Sequence, residues 1–542
     1  MKIAVAQLNF KVGAVHLNQK KISDHIERAK KEKADLIVFP ELSLTGYPPR
    51  DLLDYHSLVD QNIAALDVLS KQCTGIAVLV GFVDRNPAKT GKRFFNAAAL
   101  LKDGKIAATY HKRLLPYYDV FEDERYFEPG AGSLVFELCG ARIGVSICED
   151  AWNEAVECPY AQDPIQDYAG KIDLLVNLSA SPFHLGKPYE RLEIFQSVAA
   201  RIGASVLCCN LVGANDELVF DGSSFLTTKD GAVCGTAPAF QESFSVWEWG
   251  KSNAIQPWPP EGKDGEGEWL FSALVTGVKD YAEKTGVYSA ILGLSGGIDS
   301  SVVACVAAKA LGPQAVLGLC LPSRFNASES LEDALTLATR LGMTAEVFSI
   351  EPIFETVSAQ LSQGLGKAPK PLTLDNLQPR IRMSVLMAYA NEGNRLLLNT
   401  SNKSEIATGY ATLYGDTAGA LSVLGDLKKS QVVAVARYLN QWGELITERV
   451  ITRPPTAELR ENQKDEDDLP AYPVLDGFVE RFVDESSDPL DWGGSPDESK
   501  FLRLYAVSEY KRRQLPPALR VSRRAFGMGR RVPVASQKPS EK

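Results

Sequence analysis

The chain alternates short apolar runs with longer polar or amphipathic stretches along its whole length. Residues 2–8 alternate with period two and predict a strand, and residues 17–33 predict a polar helix. Apolar runs at 35–41, 76–83, 96–101, 105–110, 142–150, 173–178 and 205–210 predict further strands. In the second half a strand at 287–294 leads through a glycine turn into an Ala/Val-rich helix at 301–311. Strands at 315–321, 345–350 and 396–400 then alternate with helices at 328–341 and 376–393. Alternation at that spacing predicts a doubly wound parallel sheet covered by helices on both faces. Residues 247–269 interrupt the pattern with Pro257, Pro259, Pro260 and a Gly/Glu-rich run, which is linker composition. The predicted division is 1–250, a linker at 251–268 with the boundary near 260, and 269–542, with a helix over 268–284 opening the second part.

Composition narrows the classes. A chain of 542 residues exceeds one ordinary core. It is 45% hydrophobic and 23% charged, as in globular proteins. A net charge of −10 argues against general nucleic-acid binding. Nine cysteines without a CxxC pair fit neither a disulfide framework nor a zinc site, which predicts a reducing cytoplasm. The first strand begins at residue 2, so no signal peptide is expected, and no apolar run reaches membrane-spanning length.

The richest chemistry sits at Gly293-Leu294-Ser295-Gly296-Gly297-Ile298-Asp299-Ser300-Ser301. Adjacent glycines let the backbone approach a ligand and aim several N–H groups at one point, and the helix behind adds partial positive charge. Ser295, Ser300 and Ser301 add hydroxyls. The run suits a phosphate, with Asp299 calling for a metal between carboxylate and phosphate. It lacks the Gly-Lys-Ser/Thr ending of a Walker A loop. A plain capped strand–helix turn needs one polar residue, and this turn carries four. In the first half Glu41, Lys112 and Cys148 each follow an apolar strand at once. A thiol becomes a nucleophile when a base takes its proton and a cation stabilises the thiolate. Singly, Cys148 also reads as a small buried hydrophobe, and Glu41 and Lys112 as surface charges.

The glycine turn resembles the SGGxDS loop of the ATP pyrophosphatases. Phe39-Pro40-Glu41-Leu42, Tyr110-His111-Lys112 and Ser146-Ile147-Cys148-Glu149-Asp150 resemble, in order, the three signatures of the nitrilase/amidase superfamily. That resemblance implies an αββα sandwich with Glu41 as general base, Lys112 as the cation holding the tetrahedral intermediate, and Cys148 as nucleophile. It implies Tyr118, Ser181 and Lys187 as glutamine contacts, plain loop roles for the last two remaining open. Residues 399–405 (Asn-Thr-Ser-Asn-Lys-Ser-Glu), Thr408-Gly409-Tyr410, Tyr414-Gly415-Asp416, residues 424–429, residues 453–459 and Lys511-Arg512-Arg513-Gln514 resemble the NAD synthetases, whose fold is adenine nucleotide alpha hydrolase-like. The whole order resembles the architecture of glutamine-dependent NAD synthetases.

The resemblance implies ATP-dependent amidation of deamido-NAD through an acyl-adenylate. It places Gly293, Leu294, Ser295, Gly296, Gly297, Ile298, Asp299, Ser300, Thr400 and Lys429 on ATP, with Ser301 also in the pyrophosphate cradle. Asn376, Glu405 and Lys511 fall on deamido-NAD, and Asp299 and Glu405 on Mg²⁺. No tightly bound organic cofactor is implied, and the partners are small molecules and further copies of the chain, with neither nucleic acid nor membrane. A nitrilase-type glutaminase feeding a different adenylating amidotransferase, and a catalytically silent scaffold, are the alternatives. The acidic run 461–468 reads as a solvated loop, and the basic tail 520–531 as an interaction arm or a disordered segment.

Ammonia made by one half and used by the other predicts a water-poor passage between them. Glutamine labelled at its amide nitrogen should then deliver label to the product in the presence of excess unlabelled ammonium. Complete dilution of the label in the product's mass spectrum excludes a passage.

Overall fold

A computed structural model describes residues 1–153, 160–461 and 463–536. The chain divides into two compact units, residues 1–259 and 260–542.

In the first unit, among the described residues, two six-stranded sheets share one pattern. The first runs, in spatial order, Ser243–Glu248, Lys2–Gln7, Leu36–Val38, Ala77–Arg85, Phe94–Lys102, Lys105–His111. The second runs Val233–Thr236, Phe225–Thr227, Ser205–Asn210, Leu174–Ser179, Ala141–Ile147, Leu134–Leu138. In each, three parallel strands are flanked by antiparallel ones, a single strand on one side and two on the other. Side chains alternate across a strand. One set, Ile3, Val5, Leu36, Val38 and Leu79, therefore meets Ile143, Val145, Leu174 and Val176 of the other sheet in a shared core. Phe195, Val198 and Ala199 of the helix Lys187–Ile202 cover the far side of the second sheet against Leu175, Val206 and Cys208. The helices Val15–Lys31 and His56–Gln72 lie against the first. This is the αββα sandwich. Strands buried on both faces have no polar side to show, so they read as continuous apolar runs.

The second unit holds a five-stranded parallel sheet in the order Thr344–Val347, Val316–Cys320, Ala290–Gly293, Leu396–Asn399, Leu421–Ser422. The chain enters at the centre, steps outward through the helices Ile298–Leu311 and Ser328–Leu341, then returns through Glu351–Leu365 and Pro371–Gly393 to the other side. The strand order reverses between Ala290–Gly293 and Leu396–Asn399, and ligand crevices open at such a reversal.

Three expectations change. The opening helix runs Lys263–Thr285 and takes in residues expected as linker. Its glycines serve close approach: a Cβ on Gly265 would stand 1.8 Å from the Pro260 carbonyl oxygen, and one on Gly267 2.6 Å from that of Ala434. The helix expected from residue 376 begins at Pro371 and carries Pro379 inside it. The tail 520–531 is neither an arm nor disordered. Arg520 is buried, the Asp426 carboxylate accepts the Val521 and Ser522 amides at 2.8 and 2.7 Å, and Phe526 joins the cluster of Phe482, Phe501 and Tyr505. Residues 462 and 537–542, which the acidic run and the second segment include, lie outside the described residues. Among the described residues no helix is long and apolar enough to cross a membrane.

The helix Lys187–Ile202 is pinned by a fully buried ion pair, Arg191 with Asp221. Removing one partner leaves a buried charge uncompensated. Arg191→Leu should lower the unfolding free energy of the first unit by about 3–5 kcal/mol, read by denaturant titration.

Candidate active sites

The first site forms where parallel strands of both sheets end. Glu41 sits in the turn after Leu36–Val38, which lies directly over the neighbouring strand. A Cβ on Gly81 would fall 2.3 Å from the Leu42 nitrogen and 2.7 Å from the Glu41 carbonyl carbon, so only glycine lets that turn pass. Lys112 follows Lys105–His111 and Cys148 follows Ala141–Ile147. Cys148 has a φ of +39°, a strained corner of the kind that lifts a nucleophile out of a strand. Asp150 locks that corner to the Lys112 segment. Its Oδ2 accepts the Ile147 amide at 3.0 Å and the Tyr110 hydroxyl at 2.8 Å, and its Oδ1 accepts the Arg113 and Leu114 amides, each at 2.9 Å.

Lys112 is 1% exposed and donates to Glu41 Oε1 at 2.8 Å and to Asp123 Oδ2 at 2.7 Å. Glu41 Oε1 also accepts Asn96 Nδ2 at 2.7 Å, and its Oε2 the Ala180 amide at 2.9 Å. Burial pulls the lysine toward neutrality, yet Asp123 and Glu41 together hold it charged well above its usual range. Burial raises the Glu41 carboxyl, and Lys112 opposes that rise. The Cys148 thiol is pushed well up, first by burial and then by the Glu41 charge, while Lys112 draws it down. The three predicted residues are thus brought into one buried electrostatic group, with Asp123, Asn96 and Asp150 as members that sequence reasoning missed. Asp123 lay in a run of acidic residues beside Glu122 and Glu124, and only the fold singles it out.

Around this group, the Tyr118 and Tyr160 hydroxyls donate to the Glu149 carboxylate at 2.9 and 3.1 Å. Lys187 Nζ stands 3.7 Å from the centre of the Trp152 ring, a cation–π distance. Ser181 is buried beside Ala180, its amide donating to Asn210 Oδ1 at 3.0 Å.

The second site is a cleft of about 330 Å³ at the reversal point of the parallel sheet. Residues 293–300, Thr400, Glu405 and Lys429 all line it. Gly296 has a φ of +82°, and a Cβ there would stand 1.9 Å from the Ser330 carbonyl oxygen, so this turn requires glycine twice over. Ser295 and Ser300 hydroxyls meet at 3.1 Å within the loop. Ser301 is turned away: it is buried, does not line the cleft, and donates to the Gly297 carbonyl at 2.8 Å.

Asn402 joins the two predicted metal carboxylates. Its Nδ2 donates to Asp299 Oδ1 at 3.1 Å, its backbone amide to Glu405 Oε2 at 3.2 Å, and its Oδ1 accepts the Glu405 amide at 3.0 Å. Lys429 is ion-paired with the other Asp299 oxygen. Burial, with the Asp299 charge second, raises the Glu405 carboxyl to about 8. Asn376 and Lys511 do not line the cleft. Both brace the loop that follows Glu405: Asn376 Oδ1 accepts the Thr412 hydroxyl at 2.8 Å, and Lys511 Nζ donates to the Gly409 and Ala411 carbonyls at 2.8 and 2.7 Å. Arg382, Arg453 and Asp465 line the cleft unpredicted. Burial lowers the Arg382 guanidinium to about 10, and it donates to the Leu321 carbonyl at 3.0 Å.

Two family models match the chain: carbon-nitrogen hydrolase over residues 2–252 and NAD synthase over residues 270–515. It is 42% identical to the glutamine-dependent NAD(+) synthetase of Synechocystis sp., covering 98% of both chains. It is 39% identical to that of Acinetobacter baylyi, over 99% of this chain and 98% of the relative. Its fold is similar to the solved glutamine-dependent NAD+ synthetase of Acinetobacter baumannii in complex with ADP. That similarity has a TM-score of 0.78 and 35% identity, with 98% of each chain covered.

Removing the charge nearest the thiol tests the first site. Glu41→Gln takes away a contribution that raises the Cys148 pKa. The pH at which Cys148 becomes alkylated by a small haloacetamide should therefore move downward. An unchanged or upward-shifted inflection contradicts the arrangement.

Proposed function

The chain belongs to the family of glutamine-dependent NAD(+) synthetases, and from that premise we propose that it amidates deamido-NAD to NAD with ATP and nitrogen from L-glutamine. The observation that supports this most is the presence on one chain of a buried Glu–Lys–Cys group and an open SGGxDS cleft with paired carboxylates.

In the first half, Glu41 takes the Cys148 proton as sulfur attacks the glutamine amide carbon. Lys112, kept charged by two carboxylates, holds the developing oxyanion. Glu41 passes that proton to the departing nitrogen, ammonia leaves, and water hydrolyses the thioester to glutamate, with the regenerated Glu41 carboxylate as base again. Tyr118, Ser181 and Lys187 hold the glutamine. In the second half, the nicotinate carboxylate attacks the α-phosphate of ATP. Pyrophosphate leaves into the cradle of Ser295, Gly296, Gly297 and Ser300, and ammonia displaces AMP from the acyl-adenylate. Thr400 and Lys429 hold ATP, and Glu405 faces deamido-NAD, while Asn376 and Lys511, which do not line the cleft, act on that substrate through the loop 409–412 that they brace.

Asp299 and Glu405 fit Mg²⁺. They are hard oxygen donors, two in number, and burial, with the Asp299 charge second, holds Glu405 hard to ionise at about 8. Mg²⁺ is held by one or two carboxylates with phosphates and water, and neutralises charge on a leaving pyrophosphate. The same reading assigns a homo-oligomer in the cytoplasm, and the free thiols of the described cysteines suit that compartment.

Glutamine, ATP, Mg²⁺ and deamido-NAD should yield NAD by mass, with AMP, pyrophosphate and glutamate. Cys148→Ala should abolish the use of glutamine and spare the use of ammonium salts. Loss of both in a folded variant contradicts the division of labour, and an amide product from another acid but not from deamido-NAD contradicts the substrate.

A further inference from the structure

Four carboxylates stand around the Cys148 corner, and three of them have their counter-groups. Glu41 and Asp123 pair with Lys112. Asp150 accepts the Ile147, Arg113 and Leu114 amides and the Tyr110 hydroxyl. The fourth, Glu149, directly follows the nucleophile and is 3% exposed, and the proposed steps make no use of it. Among the described residues it has neither an ion pair nor a backbone amide, and its donors are the two tyrosines alone. Both donate to Oε1, Tyr118 at 2.9 Å and Tyr160 at 3.1 Å. The single Tyr118 proton reaches Oε2 only as a shared contact at 3.2 Å, so Oε2 has no donor of its own.

A buried carboxylate keeps its charge only where other groups replace the water it has lost. Neutral hydroxyls do so in part. Burial raises the Glu149 carboxyl, and Lys112, the two tyrosines and Lys187 work against that rise. Lys112 is already committed to Glu41 and Asp123. A resident metal does not supply the charge: among the described residues no group of three or more histidine, cysteine, aspartate or glutamate side chains could hold one. The remaining source is the substrate. An amide whose carbon stands at the thiol carries its other end past this corner. In L-glutamine that end bears an ammonium and a carboxylate on one carbon. Glu149 and Lys187 are a matching pair of opposite charges, near enough for each lysine charge to act on the carboxylate. Lys187 lies over Trp152, the residue that closes the short turn Cys148–Ala151 on which Glu149 sits.

We propose that Glu149 sets the substrate specificity of the first site, its Oε2 taking the α-ammonium of glutamine while Lys187 faces the α-carboxylate. This rests on the reading of that site as one that hydrolyses glutamine. Tyr118 and Tyr160 hold Oε1 and leave Oε2 toward the ligand. The site then accepts amides with a free ammonium. It rejects the same amide without one, because the Glu149 charge would stay buried and uncompensated.

The test uses the full chain with ATP, Mg²⁺ and deamido-NAD and compares two amides, glutamine and glutaramate, which is glutamine with hydrogen in place of the α-ammonium. Ammonia release is read from each. The wild-type chain should favour glutamine in kcat/KM on the order of 10²-fold. Glu149→Gln keeps the shape and an acceptor for the tyrosines but removes the charge. It should erase most of that preference by raising the KM for glutamine, and should alter glutaramate far less. Glu149→Asp keeps the charge but draws it back, and should lower the preference about tenfold. Equal losses with both amides in Glu149→Gln make Glu149 an anchor for the tyrosines only and overturn the assignment. An unchanged preference overturns it, as does a loss in kcat with the KM for glutamine unaltered. If Glu149→Gln does not fold, the preference of Glu149→Asp decides, and a wild-type value there overturns the assignment. A wild-type chain that releases ammonia equally from both amides overturns the assignment alone. One that releases none from glutamine overturns the glutaminase reading and the assignment with it, so the two failures are told apart.

Discussion

A lysine that is 1% exposed stays charged only if anions replace the water it has lost. Lys112 has two, Glu41 on one side and Asp123 on the other. That arrangement dictates much of the first unit. The two carboxylates come from separate segments, the thiol from the opposite sheet, and all must reach one point without admitting solvent. Gly81 lets the Glu41 turn lie flat on the sheet, Asp150 ties the cysteine corner to the lysine segment, and the Ala180 amide and Asn96 fix the carboxylate of Glu41. A cation with one carboxylate would form a closed ion pair. With two, Asp123 still faces the ammonium when Glu41 takes the thiol proton in the proposed reaction, so Lys112 keeps a paired anion through the step.

The second unit applies the same rule to a different end. Lys403, fully buried, donates to Asp484 at 2.5 Å and to the Ser522 hydroxyl at 2.6 Å, and pairs with Asp426 at 2.9 Å. It sits at the start of the short helix that carries Glu405, and Asn402 just before it holds both Asp299 and Glu405. The C-terminal segment is therefore a strap behind the carboxylates of the cleft. In the front, Lys429 neutralises one of them, and Glu405 remains hard to ionise.

How far the sequence was legible follows from what each signal measures. Strands buried on both faces announce themselves by apolar runs, so the three parallel strands of each first-unit sheet and the parallel order of the second unit were readable, whereas the outer strands Leu134–Leu138, Phe225–Thr227, Val233–Thr236 and Ser243–Glu248 were not. The residues directly after those strands were readable too, because an isolated polar group at the end of an apolar run stands out. Asp123, Asn402 and Asp465 were harder. Each lies among polar neighbours, and its partners are far away in sequence: Asp123 meets Tyr47, and Asn402 meets Asp299. The acidic run illustrates the limit. Charge density predicts solvation, and Asp467 and Asp468 are exposed as expected, yet Asp465 is buried because Tyr472 and the Pro455 carbonyl hold that turn against the cleft. The glycines of 262–267 mislead for a related reason. Composition reads glycine as freedom, whereas here its missing Cβ allows a helix to touch another backbone.

The ion pair between Lys429 and Asp299 constrains the order of events in the cleft. Among the described residues the lysine is the only cation bonded to that carboxylate. A triphosphate entering over residues 295–300 brings a stronger anion within reach of the same ammonium. If Lys429 turns to the phosphate, Asp299 loses its partner while Glu405 stands nearby, and two adjacent carboxylates repel. A divalent cation held by both would offset that repulsion. Under the proposed function this geometry would couple ATP to its metal through one lysine: ATP without metal would leave Asp299 facing Glu405, and metal without ATP would compete with an ammonium already in place.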